Sequence, residues 1–245
     1  MACRLETVIK PPDDRNVEKQ MKLRRLGVVV AAVIVAAAVG GTLAYGLRSR
    51  FTLISWAIVD DGGWPSLNVR FEAVGDVNLI LFDPNGEVVD KLHVTGGMTE
   101  AVLRMADFHE TPAAGTYRLV ARNPLGMNVF EEKMKFGGVD IEVVYCWINV
   151  TWDGEYGSVT GMNITLRNVG DILTYPCGMG ITVGGESDEG YVYPIEGLLP
   201  GEEKSYRVAY GILWLQPGTY QVTVRIYDAA GYLITIYETT ITIPP

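Results

Sequence analysis

Two hydrophobic patterns divide this chain. From Leu26 to Leu47 run 22 residues without a charge, whereas beyond Phe51 apolar and polar residues alternate at a period of two. A helix of 22 residues rises roughly 33 Å, enough to cross a hydrocarbon core of about 30 Å. Residues 26–47 are therefore predicted to form one transmembrane helix. The period of two is that of strands with one buried face. Leu67, Val69, Phe71 and Ala73 alternate with Asn68, Arg70 and Glu72. Tyr220, Val222, Val224 and Ile226 alternate with Gln221, Thr223, Arg225 and Tyr227. No window past Phe51 carries a convincing amphipathic helix.

Turn signals recur at short intervals: Asp83-Pro84-Asn85-Gly86, Gly96-Gly97, Gly137-Gly138, Gly184-Gly185, Pro200-Gly201 and Pro217-Gly218. Many short strands punctuated in this way imply antiparallel sandwiches. The predicted architecture is an all-β ectodomain of two tandem Ig-like antiparallel β-sandwiches, at 51–136 and 139–245, following the N-terminal transmembrane helix. The boundary is placed at Gly137-Gly138. The halves also echo each other. Ala114-Gly115-Thr116-Tyr117-Arg118-Leu119-Val120 resembles Pro217-Gly218-Thr219-Tyr220-Gln221-Val222-Thr223, each followed by a turn and one last strand.

Charge adds topology. Residues 1–50 carry nine bases and four acids, and residues 51–245 carry eleven bases and 25 acids. Six bases (Lys10, Arg15, Lys19, Lys22, Arg24 and Arg25) precede the apolar run closely and two, Arg48 and Arg50, follow it. The positive-inside rule then keeps residues 1–25, read as a short disordered tail, in the cytoplasm and exports the rest. The expected localisation is the cell membrane, single-pass, with the C-terminal domains extracellular. The run is too long for the h-region of a cleaved signal peptide. Arg24-Arg25-Leu26-Gly27 before Val28 also resembles a type IV prepilin processing site. A cut after Gly27 would make the helix the core of a filament subunit. Ala32, Ala36, Gly40 and Ala44 recur every four residues, a spacing that lets membrane helices approach closely and permits self-association. An acidic exterior argues against nucleic acid as a partner. The bilayer and other envelope or surface proteins remain as expected partners.

In the second half, Asn163-Ile164-Thr165-Leu166-Arg167-Asn168-Val169-Gly170-Asp171 resembles the strand and turn of CARDB-like modules. Leu199-Pro200-Gly201-Glu202 and Pro217-Gly218-Thr219-Tyr220 resemble two later turns of that family. The resemblance covers about residues 139–245. It implies an Ig-like β-sandwich of a prokaryotic surface protein, in a family named for cell adhesion, and it carries over no binding residues. The stretch from Gly184 to Tyr193, with Glu186, Asp188 and Glu189, departs from the compact pattern and reads as a solvated loop.

Candidate chemistry is sparse. Cys3 falls in the predicted tail as a reduced thiol. Cys146 and Cys177 fall in the exported half, where a disulfide between them is permitted; the other reading is two buried thiols. Asn163 and Asn149 open acceptor sequons for N-glycosylation, with Asn163 predicted to face solvent. His93 and His109 are the chain's two histidines and read as surface strand or loop residues. Asp60-Asp61, opening a Gly-rich turn, offers oxygen ligands without EF-hand spacing. Tyr191, Tyr193, Tyr206, Tyr210 and Trp214 crowd the second half, and Gly211-Ile212-Leu213-Trp214-Leu215 reads as an apolar loop or strand end. No catalytic residue, metal site or cofactor is expected. The function expected is a non-enzymatic, membrane-anchored structural or adhesion component. The alternatives are the filament subunit and a carbohydrate-binding accessory module.

Overall fold

The structure, a computed structural model, describes residues 34–35, 48–152, 154–193 and 195–244. The tail at 1–25 and, apart from Ile34 and Val35, the helix predicted at 26–47 lie outside the described residues, as do Gly27, Ala32, Ala36, Gly40 and Ala44. Among the described residues no helix is long and apolar enough to cross a membrane.

Residues 49–245 form one compact unit built of strands. In its first half, β1 (Arg50–Asp61), β2 (Trp64–Val74), β3 (Val77–Phe82), β4 (Val88–Val94), β5 (Glu100–Arg104), β6 (Gly115–Arg122) and β7 (Asn128–Phe136) make two sheets. Their orders are β1-β2-β5 and β4-β3-β6-β7. In its second half, β8 (Ile141–Trp152), β9 (Gly157–Asn168), β10 (Pro176–Val183), β11 (Glu186–Tyr191), β12 (Glu203–Leu215), β13 (Gly218–Asp228) and β14 (Leu233–Ile243) repeat the scheme. The orders are β12-β9-β8 and β11-β10-β13-β14. Every ladder between these strands is antiparallel. In both halves the fourth strand pairs with the third instead of joining the three-stranded sheet. That moves it to the opposite face from its place in constant-type immunoglobulin domains.

The alternation read from sequence is the alternation of burial. Leu67, Val69 and Phe71 are fully buried between the first pair of sheets, and Val222, Val224 and Ile226 between the second. Each half has its own apolar core. One turn chemistry closes three of the hairpins. Asp83, Asn123 and Asp228 each accept, on the backbone carbonyl, the amide of a glycine three residues on: Gly86, Gly126 and Gly231. The side-chain oxygen of each also accepts the amide of the next residue, Glu87, Met127 or Tyr232. The three glycines hold φ of 86°, 80° and 85°, where a Cβ is disfavoured.

The echoed Gly-Thr-Tyr segments open β6 and β13, the penultimate strand of each half. Tyr117 meets the backbone of Ala113, and the Tyr220 hydroxyl donates to the Gln216 carbonyl at 2.9 Å. Each tyrosine thus ties its strand to the backbone four residues upstream, the device called a tyrosine corner in Ig-like sandwiches.

One local expectation is corrected, and of the two readings of residues 211–215 the strand end is the one observed. Residues 186–191 form the edge strand β11, because Gly184-Gly185 makes a tight hairpin that returns the chain onto β10. Residues 211–215 end β12 beyond a register shift between Ala209 and Leu213. There Leu213 and Leu215 fill the second half's own core, and Trp214 points outward.

Candidate functional site

Two constructions stand out, and both grow from the strand framework. The first joins the halves. Asp60, at the end of β1, accepts three hydrogen bonds: from Gly63 N at 2.7 Å, from the Tyr175 hydroxyl at 3.1 Å, and from Gly197 N at 3.2 Å. Its two oxygens, read from sequence as candidate cation ligands, are thus occupied by donors from both halves. Asp171 answers from the other side. Its carboxylate accepts Gly137 N at 2.8 Å and Gly138 N at 3.0 Å, fixing the link between β7 and β8. The Gly137 amide, with a further contribution from Gly138, holds this carboxyl below its usual range.

The loop between β9 and β10 supplies the rest. Asn168, fully buried, donates to the carbonyls of Ile172 and Leu198 at 2.7 and 2.9 Å and accepts Gly170 N at 3.0 Å. So braced, the loop sends Ile172, with no exposed surface, into the apolar core of the first half. Gly170 lies so close to the Gly138 carbonyl and the Asp140 amide that a Cβ there would collide with backbone. Thr111 and Thr174 share a hydrogen bond of 3.0 Å, and the His109 ring packs 5.1 Å from that of Tyr175. His109 is thus a packing residue of the junction, held at φ 58° with its amide on the Gly63 carbonyl. Burial first, then the Asp60 charge, pushes the Tyr175 hydroxyl well above the ordinary tyrosine range. The sequence pointed to Asp60 and to the Asn168 turn separately, and gave no sign that Tyr175 or Ile172 connects them.

The second construction is the outer face of the sheet β12-β9-β8. Residues directly opposite on neighbouring strands lie on one face, with Cβ atoms about 4.5–5.5 Å apart. Successive rows across the three strands are Glu142–Arg167–Glu203, Tyr145–Thr165–Ser205 and Trp147–Asn163–Arg207. The row Asn149–Gly161–Ala209 follows, and then Thr151–Ser158–Trp214. Arg167 bonds Glu203 at 2.7 Å and Glu142 at 3.3 Å, closing one end of the face. Toward the other end Gly161 and Ala209 leave a low floor between two aromatic walls. Trp147 is 59% exposed and Trp214 56% exposed, the latter meeting Tyr156 edge-on at 6.5 Å. Asn163 is half-buried on this face between Trp147 and Arg207, and Asn149 is half-buried beside Gly161.

The remaining candidates are scattered. Cys146 on β8 and Cys177 on β10 are free thiols on opposite sheets. Burial pushes the Cys146 thiol up to about 11, and burial together with Asp228 raises Cys177. His93 lies on β4, where Nδ1 sits 3.2 Å from Asn78 Oδ1. Among the described residues no group of three or more His, Cys, Asp or Glu side chains is placed to hold a metal ion.

No family model and no curated protein matches this chain. Solved structures similar to it include the BSP domain of a biofilm associated protein, at 13% identity and a TM-score of 0.27. That alignment covers 79% of this chain and 29% of the other. A two-domain fibronectin type III segment of chicken tenascin aligns at 10% identity and a TM-score of 0.32, over 80% of this chain and 99% of the segment. A tetra-tandem repeat from the extending region of a large adhesion protein aligns at 15% identity and a TM-score of 0.33, covering 80% and 49%. The description of this chain as Ig-like β-sandwiches rests on its own strand order and tyrosine corners.

Proposed function

We propose that this chain is a single-pass cell-surface protein whose two sandwiches stand outside the membrane as a non-enzymatic adhesion or interaction module, the second of them CARDB-like. The observation that carries the reading is the outer face of β8, β9 and β12. It presents Tyr145, Trp147 and Trp214 to solvent on a rigid sheet, and exposed aromatics on such a support are the anchors of protein interfaces. The apolar run at 26–47 and its flanking bases supply the tether and the orientation.

Labelling of intact cells with a membrane-impermeant amine reagent tests the reading. Exposed Lys91, Lys133 and Lys135 are expected to react, and Lys10 and Lys19 to stay protected until the cells are broken. Labelling of the tail on intact cells reverses the topology. A mature N-terminus at Val28 in place of Met1 supports the filament subunit instead.

A carbohydrate-binding reading is favoured by one row, in which Trp147 offers a stacking plane beside the polar Asn163 and Arg207. Glycan binding abolished by Trp147→Ala supports it. Absence of binding by the intact chain removes it.

A further inference from the structure

The two halves share a topology, yet they treat one equivalent seam differently. In each sandwich the first and last strands lie at the ends of their sheets and run beside one another without a ladder between them. In the first half rings from both strands meet across this seam, and the cavity of about 410 Å³ beside it, lined by Trp56, Ile58, Lys135 and Phe136, is capped by residues 170–171 and 199–200 of the second half. Phe51 of β1 packs 5.1 Å from Phe130 of β7, and Trp56 of β1 meets Phe136 of β7 at 5.5 Å. In the second half the corresponding seam, between β8 and β14, holds no such ring pair among the described residues. It opens as a groove of about 550 Å³ lined by residues 146–151 and 239–242.

Edge strands present unpaired backbone donors and acceptors, and proteins blunt them with Lys, Pro or inward charges. Six of the eight edges among the described strands carry at least two charged residues. Arg50 lies on β1, Lys91 on β4, Arg104 on β5, Lys133 and Lys135 on β7, and Lys204 on β12, while β11 carries Glu186, Asp188 and Glu189. The two edges that border the open groove do not. β8 has one charged residue, Glu142, and β14 has one, Glu238; neither strand contains Lys, Arg or Pro. β14 is also regular, with nine consecutive residues from Thr235 to Ile243 in unbroken register on β13. Its row of β-branched side chains fits added-strand pairing.

We propose that the seam between β8 and β14 is a strand-acceptor groove, which takes an extended, basic segment of a partner protein as an added strand. Backbone pairing along β14 supplies the affinity, and alternate apolar side chains of the incoming strand descend toward Ile148, Val150 and Ile241. Charge selects the partner. Residues 51–245 carry 25 acids against eleven bases, so a second copy of this chain approaches against repulsion and a cationic segment is drawn in. That the partner is another surface protein rests on the proposed function; the groove and its strand do not.

The test uses the full chain in detergent micelles and a short peptide alternating Val and Thr, capped at both ends by Lys. Its twin carries Glu caps, and a third peptide copies residues 235–243. Hydrogen exchange is expected to slow at 239–242 and 146–151 with the Lys peptide. Affinity should fall about tenfold for the Glu twin. Thr240→Lys, exposed on β14, is expected to weaken the Lys peptide at least as much while the strand spectrum is kept. Protection elsewhere, equal binding of the Glu twin, or no protection by any peptide overturns the groove. Stronger binding of the 235–243 copy replaces the partner segment with self-pairing. Surface labelling is scored separately, so a groove that binds in a chain whose lysines are not outside removes the surface reading alone.

Discussion

The Tyr175 hydroxyl donates to Asp60 Oδ1 at 3.1 Å across 115 residues of sequence, joining the end of β1 to the loop before β10. The same carboxylate holds Gly63 N and Gly197 N, so one side chain secures a turn in the first sandwich and two segments of the second. Asp60 is itself exposed, but its three donors sit on the buried residues Gly63, Tyr175 and Gly197, and removing the carboxylate leaves them stranded. The sandwiches are therefore fastened to each other.

Ile172 extends this coupling to the cores. It belongs to the second half by sequence and fills the first half's core with no exposed surface. Ile172→Ala is expected to destabilise the first sandwich by about 2–5 kcal/mol, the usual range for emptying a buried aliphatic site. Denaturant unfolding followed by exchange of the β2 and β6 amides measures the cost where it is predicted to appear. A loss confined to β9 and β10 contradicts it.

Alkaline pH should unfold the chain through its buried tyrosines. Burial pushes Tyr117 up to about 12, and raises Tyr175, Tyr206 and Tyr210 still further. A phenol whose proton is held more tightly in the folded state contributes stability that is complete below the unfolded value of about 10. That contribution is lost as pH rises through the folded value. Melting temperature is expected to fall steadily above about pH 10, with the tyrosinate absorbance of these four appearing together with unfolding. Their ionisation ahead of any loss of structure contradicts the assignment.

Cys146 and Cys177 should resist thiol reagents while the chain is folded. With its thiol pushed up to about 11 by burial, Cys146 is expected to react about a hundredfold more slowly near pH 8 than an exposed cysteine. Denaturation without reductant should release two reactive thiols from Cys146 and Cys177, matching their unbonded state. Mass spectrometry of the unreduced, alkylated chain counts them directly.

The strands were legible because each core face is one-sided. Leu67, Val69 and Phe71 announce β2 by alternation, and Val222, Val224 and Ile226 announce β13. Two of the three glycine hairpins were not legible. Asn123-Pro124-Leu125-Gly126 and Asp228-Ala229-Ala230-Gly231 place the turn-forming residue and its glycine three apart; Asn-Pro marks only the start of the first, and no dipeptide flags the second. β11 was hidden for a related reason. Glu186, Asp188 and Glu189 read as solvated because an edge strand can keep its charges in water. The junction was least visible. Hydrogen bonds such as Asp60 to Tyr175 join positions remote in sequence, and nothing in local pattern records which turn a carboxylate will face. The exposed row Trp147–Asn163–Arg207 shares this limit, since cross-strand neighbours follow from register and bulges, which alternation alone does not fix.

Calorimetry of the full chain beside Asp60→Ala, in detergent micelles, tests the joined pair most directly. Loss of the carboxylate is expected to cost about 2–4 kcal/mol, from the three donors left without an acceptor. The native chain is predicted to unfold both sandwiches in one transition, and Asp60→Ala to separate them into two. Two transitions in the native chain, or an Asp60→Ala trace that overlays it, would show that the sandwiches are independent beads.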